Sequence, residues 1–146
     1  LSFGELSVSS SFNLIYYIVA FRRIGTKHKG TRFERDLSNK LIEKGYLVVR
    51  AAGSGVLQTA PDLLAFKSYE HIAFECKAWD SERLSLRKEQ YDLLKRWVDV
   101  AGLTVYVAWH VPREGWFFIK LHELNENRAI SLEHARLINR RFEEII

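Results

Sequence analysis

One cysteine in 146 residues excludes an internal disulfide framework. No Cys/His cluster stands at ligand spacing, so a structural zinc site is not expected. The five histidines are scattered with no i, i+4 pair, and each is read as structural or exposed. Long hydrophobic runs are absent too. The most apolar stretch, Phe12 to Phe21, is too short for a bilayer, which takes about 20 residues. Its Arg22-Arg23 pair follows the apolar run, the reverse of the order in a secretory signal. No P-loop spacing occurs either: Gly53-Ser54-Gly55 leads to Pro61 instead of into a helix, which disfavours nucleotide binding. The cysteine usage is that of a cytosolic protein, and a cytoplasmic location with no membrane partner and no small-molecule substrate is expected.

What is present is ordinary for one globular domain. The chain is 47% hydrophobic and 27% charged, enough to bury a sizeable core. A net charge of +4 is compatible with a polyanionic partner without demanding one. Residues 1–28 read as an N-terminal extension of unknown role, with Phe12–Phe21 an accessory strand or helix packed on the domain or on a second subunit. Residues 29–146 form the main domain.

The chain is organised around Ala60 to Trp79. Two apolar runs, Leu63–Phe66 and His71–Lys77, flank the polar tip Lys67-Ser68-Tyr69-Glu70, as in an antiparallel hairpin. Alternation sends Ile72, Phe74 and Cys76 to a core face, and Ala73, Glu75 and Lys77 to a face that carries chemistry. A two- or four-residue loop sets Asp62 opposite Glu75, with Cβ atoms about 5 Å apart. Two carboxylates that close repel, and when partly buried one keeps its proton unless a cation sits between them. Carboxylate oxygens suit magnesium, with manganese as a substitute. Lys77, on the same face, would orient or polarise an attacking water. Pro61-Asp62 followed by Glu75-Cys76-Lys77 resembles the PD-(D/E)xK signature of metal-dependent nucleases.

Elsewhere the pattern alternates helix and strand. Gly30 to Gly45 is helical, with Thr31 as N-cap, an apolar stripe of Phe33, Leu37, Leu41 and Ile42, and Lys44-Gly45 as its close. Glu34 lies at the edge of that stripe, either as the partner of Thr31 in a capping box or as a third carboxylate near the metal. Tyr46–Arg50 reads as a strand. Ser85 is expected to cap a second helix running to about Ala101, with Leu86, Leu93, Leu94, Trp97 and Val98 buried and Gly102 as its stop. Gln90 falls in its first turns, as a surface residue or as one approaching the site. Two strands, Leu103–His110 and Trp116–Leu121, and a short helix from Ser131 complete an α/β domain, a central mixed β-sheet flanked by α-helices. Trp79, Trp109 and Trp116, in or beside strands, are read as core or interface and given no DNA role.

Four blocks in order, Lys29-Gly30-Thr31-Arg32-Phe33-Glu34-Arg35, Arg50-Ala51-Ala52-Gly53-Ser54-Gly55, Pro61-Asp62 and Glu75-Cys76-Lys77, resemble the archaeal Holliday junction resolvases from about Lys29 to the C-terminus. The resemblance implies a restriction-endonuclease-like nuclease core and a homodimer acting on four-way junction DNA in recombination and repair. It implies that Glu34, Asp62 and Glu75 bind magnesium, that Lys77 assists the water, and that Ser54 serves cleavage from a mobile loop. It further implies DNA-backbone contacts from Arg35 and Arg50, to which Lys29, Arg32 and Ser54 are added, and products with 5′-phosphate and 3′-hydroxyl ends. Arg83, Arg87, Lys88 and Lys27 are further candidates for phosphate contacts. Two other readings stay open: a restriction or repair nuclease of the same superfamily, or a DNA-binding module that has lost cleavage.

Overall fold

The structure, a computed structural model, describes residues 31–51 and 59–146. The expected N-terminal extension, Lys27, Lys29 and the Gly53-Ser54-Gly55 loop lie outside the described residues. Helix α1 spans Thr31–Glu43 and is followed by strand β1, Leu47–Arg50. A hairpin of β2, Leu63–Lys67, and β3, Glu70–Ala78, comes next, and then a short strand β4, Arg83–Ser85. Helix α2, Lys88–Ala101, leads into β5, Thr104–Val111, and β6, Gly115–Lys120. A 3₁₀ turn at Leu121–Glu123, β7 at Ala129–Ser131, α3 at Leu132–Ile138 and α4 at Phe142–Ile145 close the chain.

Five strands form one mixed sheet in the order β1-β2-β3-β5-β6. Among the described strands of this sheet, only β3 and β5 run parallel, joined by the crossover that contains α2; the other pairs are antiparallel. In the β2–β3 hairpin Lys67 pairs with Glu70 and Leu63 with Phe74, so the turn is Ser68-Tyr69. Of the two loop lengths the sequence allows, it is the two-residue one.

Alternation along the central strands feeds two cores. Ile72, Phe74, Tyr106, Ala108 and Phe118 face α1 with Leu37 and Leu41, while Ala73, Val105, Val107, Trp109, Phe117 and Ile119 face α2 with Leu94. The expectation that only one face of β3 is core is therefore corrected. Both faces are covered, and Glu75 is embedded in the α2 side at 1% exposure.

Helix α1 ends as its sequence dictates. The Gly45 N–H donates to the Ile42 carbonyl at 2.9 Å and the Tyr46 N–H to the Leu41 carbonyl at 3.1 Å, with Gly45 at φ +87°. This is a Schellman close, which needs a residue free to take a left-handed conformation. Lys67 adds its ammonium to the Lys44 carbonyl at 2.9 Å, tying the helix end to the hairpin. Next to it the Tyr46 hydroxyl donates to Glu70.

Two details of the helices depart from expectation. In α1 Ile42 is 54% exposed, while Ser38 is buried beside Leu37 and Leu41. At about 100° per residue, Glu34, Leu37, Ser38 and Leu41 share one face. Glu34 therefore lies near the centre of the buried face and not at its edge. The capping box expected with Thr31 involves a side chain outside those described.

Ser85 does not cap α2. It pairs with Ala129 in a two-stranded ribbon of β4 and β7, and the helix begins after Arg87, without a side-chain cap. Leu94 is fully buried and Tyr91 and Trp97 pack against the same core, but Val98 is exposed and Leu93 only half-buried. Leu86, also buried, precedes the helix. Gly102 stops α2 at φ +67°, and Ser131 caps α3 by accepting the His134 N–H, both as expected. Trp109 is core, as read from the sequence, whereas Trp79 is 41% exposed.

Candidate active site

Pro61 is fully buried and delivers the chain to Asp62, whose carbonyl accepts the Ala51 N–H at 2.9 Å. Backbone pairing of β1 with the start of β2 thus fixes where the Asp62 side chain begins. One further step of the hairpin register sets Asp62 against Glu75. Its Oδ2 accepts the Cys76 N–H at 2.7 Å, and its carboxyl hydrogen-bonds that of Glu75.

Burial and then the charge of Glu75 push Asp62 from 3.8 up to about 7, against the smaller opposing pull of the Cys76 N–H and Lys77. Asp62 thus keeps its proton to near neutral pH, as a desolvated carboxyl beside a second acid should.

Glu75 is held from two directions. The Lys77 ammonium lies 2.8 Å from its Oε1, and the Gln90 amide N–H donates to the same oxygen. The Lys77 side chain is itself only 15% exposed. Gln90 reaches Glu75 because it shares a helix face with Leu94 and Trp97, at i, i+4 and i+7, which seats α2 on the sheet. That spacing is a readable signal, and the contact with Glu75 decides between the two sequence readings of Gln90 in favour of the site.

Glu34 reaches the neighbourhood from α1. Its Oε2 is 3.5 Å from Arg50 Nη2 at the end of β1. The Cys76 thiol is pushed well above its ordinary value by burial first, and then by Asp62, Glu34 and Glu75 together. The three acids therefore share one electrostatic neighbourhood around Cys76. Among the described residues, however, no three His, Cys, Asp or Glu side chains form a group that could hold a metal ion. Asp62 and Glu75 are the acids whose carboxyls meet.

Two carboxylates fit a hard divalent cation, because magnesium commonly takes one or two and fills its other positions with water and substrate oxygen. The burial and the neighbouring Glu75 charge that raise the Asp62 carboxyl mark the place where such a charge would be accommodated.

Of the expected DNA-contacting residues, Arg32 and Arg35 are exposed on α1, Arg32 lying 3.9 Å from Asp36. Arg50 is partly exposed and paired with Glu34. Lys29 and Ser54 lie outside the described residues.

A mixed sheet whose hairpin brings together the Asp of Pro-Asp and the Glu and Lys of Glu-x-Lys is the arrangement of an α/β nuclease. Residues 25–145 match the family model described as archaeal Holliday junction resolvase (Hjc), and the chain belongs to that family. The crossover junction endodeoxyribonuclease Hjc of Archaeoglobus fulgidus is 32% identical over 129 residues, which is 81% of this chain and 95% of the relative. Those of Methanocaldococcus jannaschii, 36% identical over 81 residues (55% of this chain, 57% of the relative), and Sulfolobus acidocaldarius, 28% over 109 (73% and 76%), are also similar. The solved structure of the Archaeoglobus fulgidus Hjc, titled a Holliday junction resolvase, superimposes with a TM-score of 0.71 at 30% identity. It covers 81% of this chain and 95% of that structure.

Proposed function

We propose that this chain is a structure-selective endodeoxyribonuclease that resolves four-way DNA junctions by paired, magnesium-dependent phosphodiester hydrolysis in recombination and repair. The observation that carries the reading is the meeting of Asp62, Glu75 and Lys77 on one hairpin inside a chain of the resolvase family.

Asp62 and Glu75 would hold the metal, with Glu34 completing the acidic surround, and the bound ion supplies positive charge to the scissile phosphate and acidity to water. The protein's own groups do the remaining work. The Cys76 N–H and the strand backbone keep Asp62 from swinging away from Glu75. Gln90 and Lys77 share Oε1 and fix the rotation of the Glu75 carboxylate. Lys77 adds a positive charge at the edge of the site, where negative charge grows on the phosphoryl oxygens as the bond to the attacking oxygen forms. Exposed Arg32 and Arg35, with Lys29, Arg50 and Ser54, supply backbone contacts that hold the junction irrespective of base sequence.

A homodimer is part of the reading, because a junction of approximate two-fold symmetry needs two matched cuts. Exposed apolar side chains at Leu47, Val49, Val100 and Leu137 offer surface for association. The protein is expected to act in the cytoplasm; among the described residues no helix is long and apolar enough to cross a membrane.

The test pairs a gel-shift titration in calcium with single-turnover cleavage in magnesium, on a synthetic four-way junction and on plain duplex. Asp62→Asn and Glu75→Gln should abolish cutting while junction affinity holds or improves, since each removes a negative charge from the DNA-facing site. Wild-type cutting by Asp62→Asn would overturn the site. Equal cutting of duplex and junction would instead favour a restriction or repair nuclease.

A further inference from the structure

Glu75 and Lys77 stand at alternate positions near the end of β3 and so share one face, and Trp79 is the first residue after the strand, which ends at Ala78. The row runs outward: the Glu75 side chain is 2% exposed, Lys77 is 15% exposed and Trp79 is 41% exposed. Lys77 bridges the two ends of it. Its Nζ is 2.8 Å from Glu75 Oε1 and lies over the Trp79 ring, 5.7 Å from the centroid.

Single exposed aromatics are common, and exposure alone would mean nothing. Trp79 differs in two respects. Its carbonyl accepts the Nε1–H of the fully buried Trp109 at 3.0 Å, which anchors its backbone to the core. Its ring also packs against the ammonium that faces the scissile phosphate in the proposed reaction. Extended chain spans about 3.3 Å per residue, so Trp79 lies at most roughly 13 Å from Glu75 along the backbone. A DNA strand rises about 3.4 Å per nucleotide, so that distance amounts to a few nucleotides at most.

We infer that Trp79 is a substrate-contacting residue, stacking its indole on a nucleobase of the strand being cut, beside the phosphate faced by Lys77. In continuous duplex both faces of every base are already stacked, so Trp79 finds no partner there. At a branch point whose arms are held apart from coaxial stacking, the terminal bases have a free face. Trp79 is therefore a selectivity residue: it binds the junction and is idle on plain duplex. This rests on the reading of the site as a junction nuclease.

The test uses the full chain in calcium, with four-way junctions carrying 2-aminopurine at positions flanking the branch point, and compares wild type with Trp79→Phe and Trp79→Ala. Loss of one base–aromatic stack should weaken junction binding of Trp79→Ala about 5- to 150-fold, with duplex affinity changed by less than about twofold. Trp79→Phe should recover most of the loss. Quenching of 2-aminopurine on binding should be present in wild type and lost in Trp79→Ala at saturating protein. Unchanged junction affinity in Trp79→Ala would overturn the inference, as would an equal loss on junction and duplex, which assigns Trp79 only to the placement of Lys77. A wild-type dimer that becomes a monomer in Trp79→Ala by sedimentation would overturn it also, by assigning the ring to a second copy of the chain. If wild type fails to distinguish junction from duplex, the function reading falls. The stacking inference is then decided by the quench on an unpaired base, which Trp79→Ala must still abolish.

Discussion

Asp62→Asn should make the metal-free protein more stable at alkaline pH, and the size of the gain follows from the hairpin. Asp62 ordinarily titrates at 3.8 and in the folded chain at about 7, chiefly because it is buried and then because Glu75 is beside it. Between those values the folded state binds more protons than the unfolded state. Stability from this group is therefore complete below 3.8 and is lost as pH rises through about 7. The loss amounts to about 4 kcal/mol at most, a large share of the roughly 5–15 kcal/mol that holds a domain together. Asparagine has nearly the same shape, stays neutral and can still accept the Cys76 N–H. In urea melts with EDTA, wild type and variant should agree within about 1 kcal/mol at pH 4. By pH 8 the variant should lead by up to about 4 kcal/mol, a shift of roughly 10 °C in Tm. If Asp62 and Glu75 hold magnesium as proposed, adding the ion should close part of that gap, because binding to the folded wild-type site would replace the proton. A variant less stable than wild type by the same margin at pH 4 and pH 8 would refute the reasoning, since the carboxylate would then be favoured by its surroundings.

Lys77→Met leaves Glu75 buried without its cation and should cost about 3 kcal/mol in urea denaturation at pH 7, with much of the loss recovered when Glu75→Gln is added. No recovery in the double variant would mean that Lys77 acts through packing alone. Gly45→Ala should cost about 1–2 kcal/mol from backbone conformation, because φ is +87° and a Cβ there would meet only the Lys67 side chain, at 3.8 Å. A cost near zero in the same assay would show that the helix end has another close. Arg50→Ala should lower the slope of log affinity against log salt for junction binding by roughly 0.9, one phosphate's share, and an unchanged slope would confine Arg50 to its pairing with Glu34.

The β2–β3 hairpin was legible because its strands are short, local and separated by a tip that sets the register; that register placed Asp62 against Glu75. The end of α1 was legible for the same reason, since Gly45 completes its close within one turn. The β4–β7 ribbon was not. Its strands are three residues each and lie far apart in the chain, so Ser85, before a helical pattern, read as a cap when its pairing lay with Ala129. The placement of Glu34 was obscured by Ser38, a small polar residue that does not count toward an apolar stripe although it is buried in one. Gln90 carried its signal openly, in register with Leu94 and Trp97, but a glutamine on a helix is usually solvated and spacing alone does not outweigh that.

The parallel pairing of β3 with β5 imposes an order of events on a newly made chain. The hairpin that holds Asp62 and Glu75 closes over a few residues, on a timescale of microseconds. The grip of Gln90 on Glu75 needs the crossover helix α2 seated on the sheet, a slower search because more chain has to be ordered first. Until then the two acids sit together with water still reaching them, and nothing on α2 holds Glu75 in one orientation. The chain acquires its aligned carboxylates only when α2 is seated, so an unfinished molecule meeting chromosomal DNA carries the chemical groups of a nuclease without the arrangement that would let it cut.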